Sequence, residues 1–337
     1  MSFLSPAAIK KRYRKFQNTN FLPCMVFSRD PLVLASYDTD FLRNAPAFLA
    51  YFDNCRAKSI RVFLQLGWEH ETPKNAEPFA SAVKDMLSKC GRLSVTVLAN
   101  SENEVRVLSA LGLHTVFCNQ NAFVDESRYP ILHAGKKFDA IYIARLTPFK
   151  RHFLAEKVWS LRLIGSFAWR EDEKPYARDI LSNRLKDAVW TDHVRAGEIP
   201  GEIAKAHCGL CLSQNEGAMF VSIEYLLCGV PVVNTANIGG RDALFPDFAV
   251  KTVPDDPEAV AEAVREFVEN APPPEKIRAA TLEIIQAHRE VFRGLLNDAM
   301  APKQYPASRK LPHKLFLRCS GLPWQILKYQ LIRPRGL

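Results

Sequence analysis

The sequence predicts an α/β protein of two domains, each built on a parallel sheet. Three observations predict it. The chain has 337 residues, more than one hydrophobic core usually serves. From about residue 60, short apolar segments of strand length alternate with segments of helical spacing, the pattern of a parallel sheet covered on both faces. Between Asn119 and Lys137 turn residues replace this rhythm, and it then restarts. The expected division is 1–134, 135–300 and a C-terminal extension 301–337, with the two sheets facing a cleft.

The elements follow in order. Strands are expected at 60–66, 93–99 and 115–118, and helices at 78–89 and 102–111, where Val105, Leu108 and Leu111 recur at helical spacing. The second half repeats the alternation, with strands at 139–144, 161–164, 188–191, 209–213 and 230–235. Its helices are expected at 153–158, 177–186, 201–206 and 218–227. Terminal helices at 256–270 and 275–297 flank the breaker Pro272-Pro273-Pro274.

Composition excludes several classes. At 47% hydrophobic and 24% charged residues, the chain is neither disordered, collagen-like nor a coiled-coil rod, and no apolar run reaches the ~20 residues of a membrane span. The net charge of +9 is unevenly placed. Residues 1–20 carry Lys10, Lys11, Arg12, Arg14 and Lys15 and no acid, while 301–337 carry eight cations and no acid, so the 21–300 body is net acidic. The acidic body offers no extended basic groove, and no nucleic-acid partner is expected. The basic ends interleave cations with Tyr13, Phe16, Trp324 and Tyr329, which suits an anionic membrane surface. The eight cysteines are widely spaced, as free thiols of a reducing compartment are. The expected location is therefore cytoplasmic, and two readings of the basic ends stand side by side: peripheral attachment to the inner face of a membrane, or a C-terminal tail packed back on the N-terminal domain.

Two segments carry chemistry. In Ala144-Arg145-Leu146-Thr147-Pro148-Phe149-Lys150-Arg151, two cations follow a strand near an expected helix N-terminus, a site for a diphosphate. In Ser213-Gln214-Asn215-Glu216-Gly217-Ala218-Met219-Phe220, a strand ends in a Glu-Gly turn and a helix begins. The backbone N–H groups at Gly217, Ala218, Met219 and Phe220 face an anion there. Glu224 lies eight residues after Glu216, along an apolar helix, where a carboxylate needs a hydroxyl or cation to meet it.

Together these segments resemble glycosyltransferase family 4, the retaining sugar transferases of GT-B fold. The family's Gly-Arg-Leu-x-x-x-Lys-Gly motif is similar to residues 144–151, with both cations kept and both glycines replaced by Ala144 and Arg151. Its Glu-Gly…Glu motif is intact as Glu216-Gly217…Glu224, followed by Cys228-Gly229-Val230-Pro231-Val232-Val233. Arg241-Asp242 stands where the family often has another Glu. The resemblance implies that Arg145 and Lys150 neutralise a departing nucleoside diphosphate without a metal or other cofactor, the nucleotide-diphosphate sugar being a co-substrate. It implies that Glu216 lies against the transferred sugar and Glu224 accepts from the ribose. The acceptor is expected to be a glycan or lipid-linked. The family's Gly-rich loop after the first strand is missing here. Its catalytic histidine is matched to His70, after the strand at 60–66, with Trp68 and Glu69 in the same loop as candidates for acceptor contact. A non-catalytic nucleotide-sugar-binding or scaffold protein with a degenerate acceptor domain is the alternative. Asp38-Thr39-Asp40, a mimic of a metal-binding Asp-x-Asp, reads as a turn or cap, and Cys208 and Cys211 read as small hydrophobes of a strand rather than metal ligands.

Overall fold

The computed structural model describes residues 22–167, 170–308 and 311. The basic segment 1–20 and nearly all of 309–337, with the membrane-surface expectation placed on them, lie outside the described residues. The chain divides into two compact units, one of Met1–Phe123 with His288–Leu337 and one of Val124–Ala287.

The first unit holds a five-stranded sheet of order β1-β2-β3-β4-β5, comprising β1 (Met25–Arg29), β2 (Leu32–Tyr37), β3 (Ile60–Gln65), β4 (Leu93–Ala99) and β5 (Thr115–Phe117). Strands β2 to β5 are parallel and β1 runs antiparallel to β2. Helices α1 (Asp38–Arg43), α2 (Ala45–Asn54), α3 (Pro73–Lys89) and α4 (Glu102–Ala110) connect them. Successive side chains of a strand point to opposite faces. Leu34, Val62, Leu64, Val95 and Val97 therefore pack with Phe41, Phe48 and Val83 of the helices. Val33, Ala35, Phe63 and Leu98 face Phe292, Leu296 and Met300.

Residues 25–54 depart from the expectation that the alternation starts near 60. Every residue of β2 is buried, so it has no polar alternation to read, and α1 and α2 are short, held by stacked Phe41, Phe48 and Phe52. Helix α3 begins at Pro73, five residues before the expected start, and carries Pro78 within it.

The second unit is a wholly parallel six-stranded sheet. Its order is β11-β10-β9-β6-β7-β8, with β6 (Phe138–Ile143), β7 (Leu161–Ile164), β8 (Val189–Thr191), β9 (Ala206–Cys211), β10 (Val232–Thr235) and β11 (Val250–Val253). Helices α5 (Lys174–Asp179), α6 (Ile199–Ala204), α7 (Phe220–Leu227) and α8 (Pro257–Glu269) belong to it. The half-exposed edge strand β11 was not expected. The helix expected at 153–158 is a single 3-10 turn, His152–Ala155.

The last helix, α9 (Pro274–Met300), is counted in the second unit up to Ala287 and in the first from His288. Residues 288–300 were expected in the C-terminal domain. The four-residue spacing of Phe292, Leu296 and Met300 instead fills one face of the first sheet. Residues 124–134, expected in the N-terminal domain, fall in the second unit. There Arg278 donates to the carbonyls of Glu126, Tyr129 and Leu227. No helix of the described residues is long and apolar enough to cross a membrane. Cys208 and Cys211 are buried free thiols of β9.

Candidate active site

Strand order positions the site of the second unit. Strands β6 and β9 are neighbours, but β6 leads on to β7 on one side and β9 to β10 on the other, so the loops after β6 and β9 part at a topological switch point, where open parallel sheets bind ligands. Helix α7 is fastened across it. Its Tyr225 hydroxyl accepts the Ile143 N–H of β6 at 2.8 Å, and its ring lies on Gly209 of β9, where a Cβ would come within 2.3 Å of the ring. Only glycine permits that approach. Helix α7 ends as the sequence predicts, with Gly229 at φ 73° and the Val230 N–H bonded to the Tyr225 carbonyl at 3.0 Å.

Arg145 and Lys150 both lie in the loop after β6 and are half-buried. No α-helix follows them. The loop makes a 3-10 turn over Pro148–Lys150, and Arg151 then takes the left-handed conformation, φ 51°. The Lys150 ammonium is ion-paired with Glu216 Oε1, so the structure brings together the carboxylate expected against the transferred sugar and one of the two cations expected around a donor diphosphate. Glu216 is 7% exposed. Its loop is braced by short backbone bonds from Gln214 to Phe149 (2.9 Å), from Ile238 to Gln214 (2.9 Å), from Glu216 to Ile238 (3.0 Å) and from Gly240 to the Gly217 carbonyl (2.8 Å).

Helix α7 starts at Phe220, two residues beyond the expected start, because Met219 is left-handed at φ 47° and forms its cap. Ala218 and Met219 are buried and, with Gly217, lie on the turn into the helix rather than in its first turn. Ser222 donates its hydroxyl to the Met219 carbonyl at 2.8 Å. Glu224, on the helix, accepts a 2.6 Å hydrogen bond from the Tyr129 hydroxyl. Burial and the adjacent carboxylate push the Tyr129 phenol well up, so it stays a donor.

Two cations that the sequence marks only as departures hold this frame. Arg151, in the left-handed position of a family glycine, is buried. It donates to the Leu212 carbonyl at 2.6 Å, to the Thr235 hydroxyl at 2.7 Å and to the Ala236 carbonyl at 3.2 Å, and it is ion-paired with Asp255. Arg241 is fully buried, donating to the Ser213 carbonyl at 2.7 Å and to the carbonyl of Thr235, with Asp242 at 2.7 Å. Arg151 is thus no solvated cation: it ties the Lys150 loop to the ends of β9 and β10. Behind it, burial holds His152 down to about 3, so its ring is neutral where it packs on Tyr142. The signal for Arg151 and Arg241 was their replacement of family residues. Tyr129 had none, lying in an unpatterned stretch.

His70 belongs to the first unit. It is 7% exposed, a buried rather than an exposed loop residue. Its Nδ1 is 3.1 Å from the Trp68 carbonyl, its Nε2 is 3.7 Å from Asp38 Oδ2, and its ring rests on Phe79. Strand β2 runs directly into α1 at the place of the missing Gly-rich loop, and Asp38 accepts the Thr39 and Gly67 N–H groups at 2.7 and 3.1 Å. Glu69 is consumed at the start of α3, accepting from the Glu71 and Thr72 N–H groups and from the side chains of Thr72 and Asn75. Glu104 accepts from Asn100 N (2.6 Å) and His70 N (2.9 Å), and burial raises its carboxyl to about 8.

Residues 123–283 match the family model of glycosyl transferases group 1. Those residues make up just under half of the chain. They contain all of Arg145, Lys150, Glu216 and Glu224. The described residues have the GT-B fold, and the enzyme class is that of a glycosyltransferase. It is similar to the solved structure of Anabaena Alr3699/HepE in complex with UDP and glucose (16% identity, 86% of this chain and 81% of that one, TM-score 0.57). It is similar too to sucrose-phosphate synthase from Thermosynechococcus elongatus (15% identity, 76% and 79%, TM-score 0.55). A third similar structure is AviGT4, a glycosyltransferase involved in avilamycin A biosynthesis (17% identity, 75% and 78%, TM-score 0.51). At such identities these likenesses show the fold. No curated protein matches the chain by sequence.

Proposed function

We propose that this glycosyltransferase moves a sugar from a nucleoside diphosphate donor to a glycan or lipid-linked acceptor, with retention and without a metal. The observation that carries the reading is the Lys150–Glu216 ion pair, which joins the loop of Arg145 to the loop that leads into the helix bearing Glu224. A donor's β-phosphate competes for the Lys150 ammonium, and on binding it frees Glu216 toward the sugar. As the anomeric C–O bond to the β-phosphate breaks, Lys150 and Arg145 meet the charge that develops on the diphosphate. The acceptor oxygen bonds to the anomeric carbon and its proton passes to the departing phosphate. Glu224, oriented by Tyr129, accepts from a ribose hydroxyl.

The binding-only reading draws on one observation, the inward engagement of His70 with Asp38 and the Trp68 carbonyl. A thermal-shift panel of UDP-, GDP-, ADP- and CDP-sugars tests both. A donor at a hundred times its dissociation constant stabilises the chain by ~2.7 kcal/mol, and no shift with any of them sinks the donor site. Turnover of the donor that binds, abolished in Glu216→Ala, selects the enzyme. Binding with neither hydrolysis nor transfer selects the binding protein.

A further inference from the structure

The second unit has another cavity, of about 440 Å³, bordered by Glu156, Lys157, Trp159, Arg184, Leu185 and Asp187. Its place in the topology separates it from the donor site. Residues 156–161 lead into β7 and 184–188 lead into β8, so the cavity opens at the amino ends of the strands. Lys150 and Glu216 stand at the carboxyl ends.

Trp159 is 94% exposed, whereas no other exposed large hydrophobic residue among those described exceeds 52%. Its turn is not loose. The Val158 N–H bonds the Ala155 carbonyl at 3.1 Å, and the Ser160 carbonyl accepts from Asp139 and Ala140 at 2.9 and 3.2 Å. An indole held in water on a fixed turn is an amphipathic platform with its face unoccupied. The charged side chains that line the cavity are two cations and two carboxylates, and Glu258 holds Lys157 from outside it at 3.5 Å. The Arg184 guanidinium is pinned by Glu156 at 3.2 Å and Asp179 at 3.0 Å.

We propose that this cavity is a second carbohydrate subsite, which takes a neutral hexose unit of a glycan with its C–H face on the Trp159 ring. A pyranose has one apolar face and a rim of hydroxyls, which matches an aromatic wall edged by Glu156, Asp187 and Lys157. The balanced charge gives a phosphate or other anion no net attraction. The choice of a glycan rests on the sugar-transfer reading, and the subsite holds the acceptor chain away from the reacting end.

The test titrates the full chain with maltotetraose, chitotetraose and mannotetraose by calorimetry, with saturating UDP and without. One of these neutral oligosaccharides is expected to bind, uncompeted by UDP, and Trp159→Ala is expected to weaken it at least tenfold with an unchanged melting temperature, since the side chain is nearly free of contacts. Asp187→Asn is expected to weaken it less. Absence of binding by all three up to millimolar concentration overturns the proposal. So does binding that survives Trp159→Ala, competition by UDP, or self-association of the wild type that Trp159→Ala abolishes. Oligosaccharide binding that fails while a nucleotide sugar still shifts the melting temperature removes this subsite alone. Failure of the nucleotide sugars removes the reading beneath it.

Discussion

The carboxyl ends of the two sheets are built alike but meet their carboxylates differently. In the first unit the loops after β2, β3 and β4 bring in Asp38, Glu69, Glu71 and Glu104, with His70 among them. Backbone N–H groups and amide side chains meet most of these carboxylate oxygens. In the second unit the loops after β6 and β10 bring in Lys150, Arg151 and Arg241, which are met by Glu216 after β9, Asp242 after β10 and Asp255 after β11. The same open sheet makes either an acidic end satisfied by N–H groups or an ion-paired one, depending on a few loop residues. An anionic donor suits the second.

The sharpest break in that comparison is Lys150→Ala. Loss of a cation that meets developing charge lowers kcat by roughly 10²–10³-fold, and steady-state kinetics with the donor found in the panel measure it. Equal kcat in wild type and variant would remove the diphosphate role of this end.

Next in size is the pH response of the acidic end. Glu104 titrates near its ordinary value of 4.5 when unfolded and at about 8 when folded, because burial disfavours its charge. The folded chain therefore binds the extra proton between these limits. Its contribution to stability is complete below about 4.5 and is lost as pH rises through about 8, an effect on the order of a few kcal/mol. Urea midpoints at pH 5 and pH 8 should differ in that direction, and Glu104→Gln should flatten the difference. A wild type as stable at pH 8 as at pH 5 would contradict the assignment.

Arg151 gives a smaller, paired effect. Arg151→Ala keeps the strained left-handed backbone and loses charge-assisted bonds, costing about 3 kcal/mol. Arg151→Gly restores the family residue and relieves the strain, so it should cost about 1 kcal/mol less. Denaturant titration of both variants checks the order, and a glycine variant as stable as wild type would show that the guanidinium clamps nothing. Smallest is Tyr129→Phe. Losing one hydrogen bond to Glu224 is worth about 1 kcal/mol, expected as a several-fold rise in KM for the donor with little change in kcat.

Much of the second unit was legible because its signals are local. A buried parallel strand is a short apolar run, and a motif such as Glu216-Gly217…Glu224 keeps its spacing because one helix carries it. Three kinds of feature were not legible. The short apolar run of β2 gives way to Ser36-Tyr37, and the six-residue helix after it spans less than two turns of periodicity. The helical expectation at 153–158 failed because apolar spacing there does not disclose the left-handed turn at Arg151. The last helix was assigned whole to one domain, although Phe292, Leu296 and Met300 serve the other core.

By itself, the sequence determined the α/β class, the order of most elements from residue 60 onward, β11 and the 3-10 turn at His152–Ala155 excepted, and the residues of the donor-type motif with the glycine that ends its helix. Only the tertiary structure decided that Arg151 and Arg241 are buried ties between strand ends, that Tyr129 reaches Glu224 across 95 positions, and that His70 faces Asp38. These are contacts between segments distant in sequence, formed where strand order β10-β9-β6 brings loop ends together. Periodicity reports which face of an element is apolar, but not which element will lie beside it.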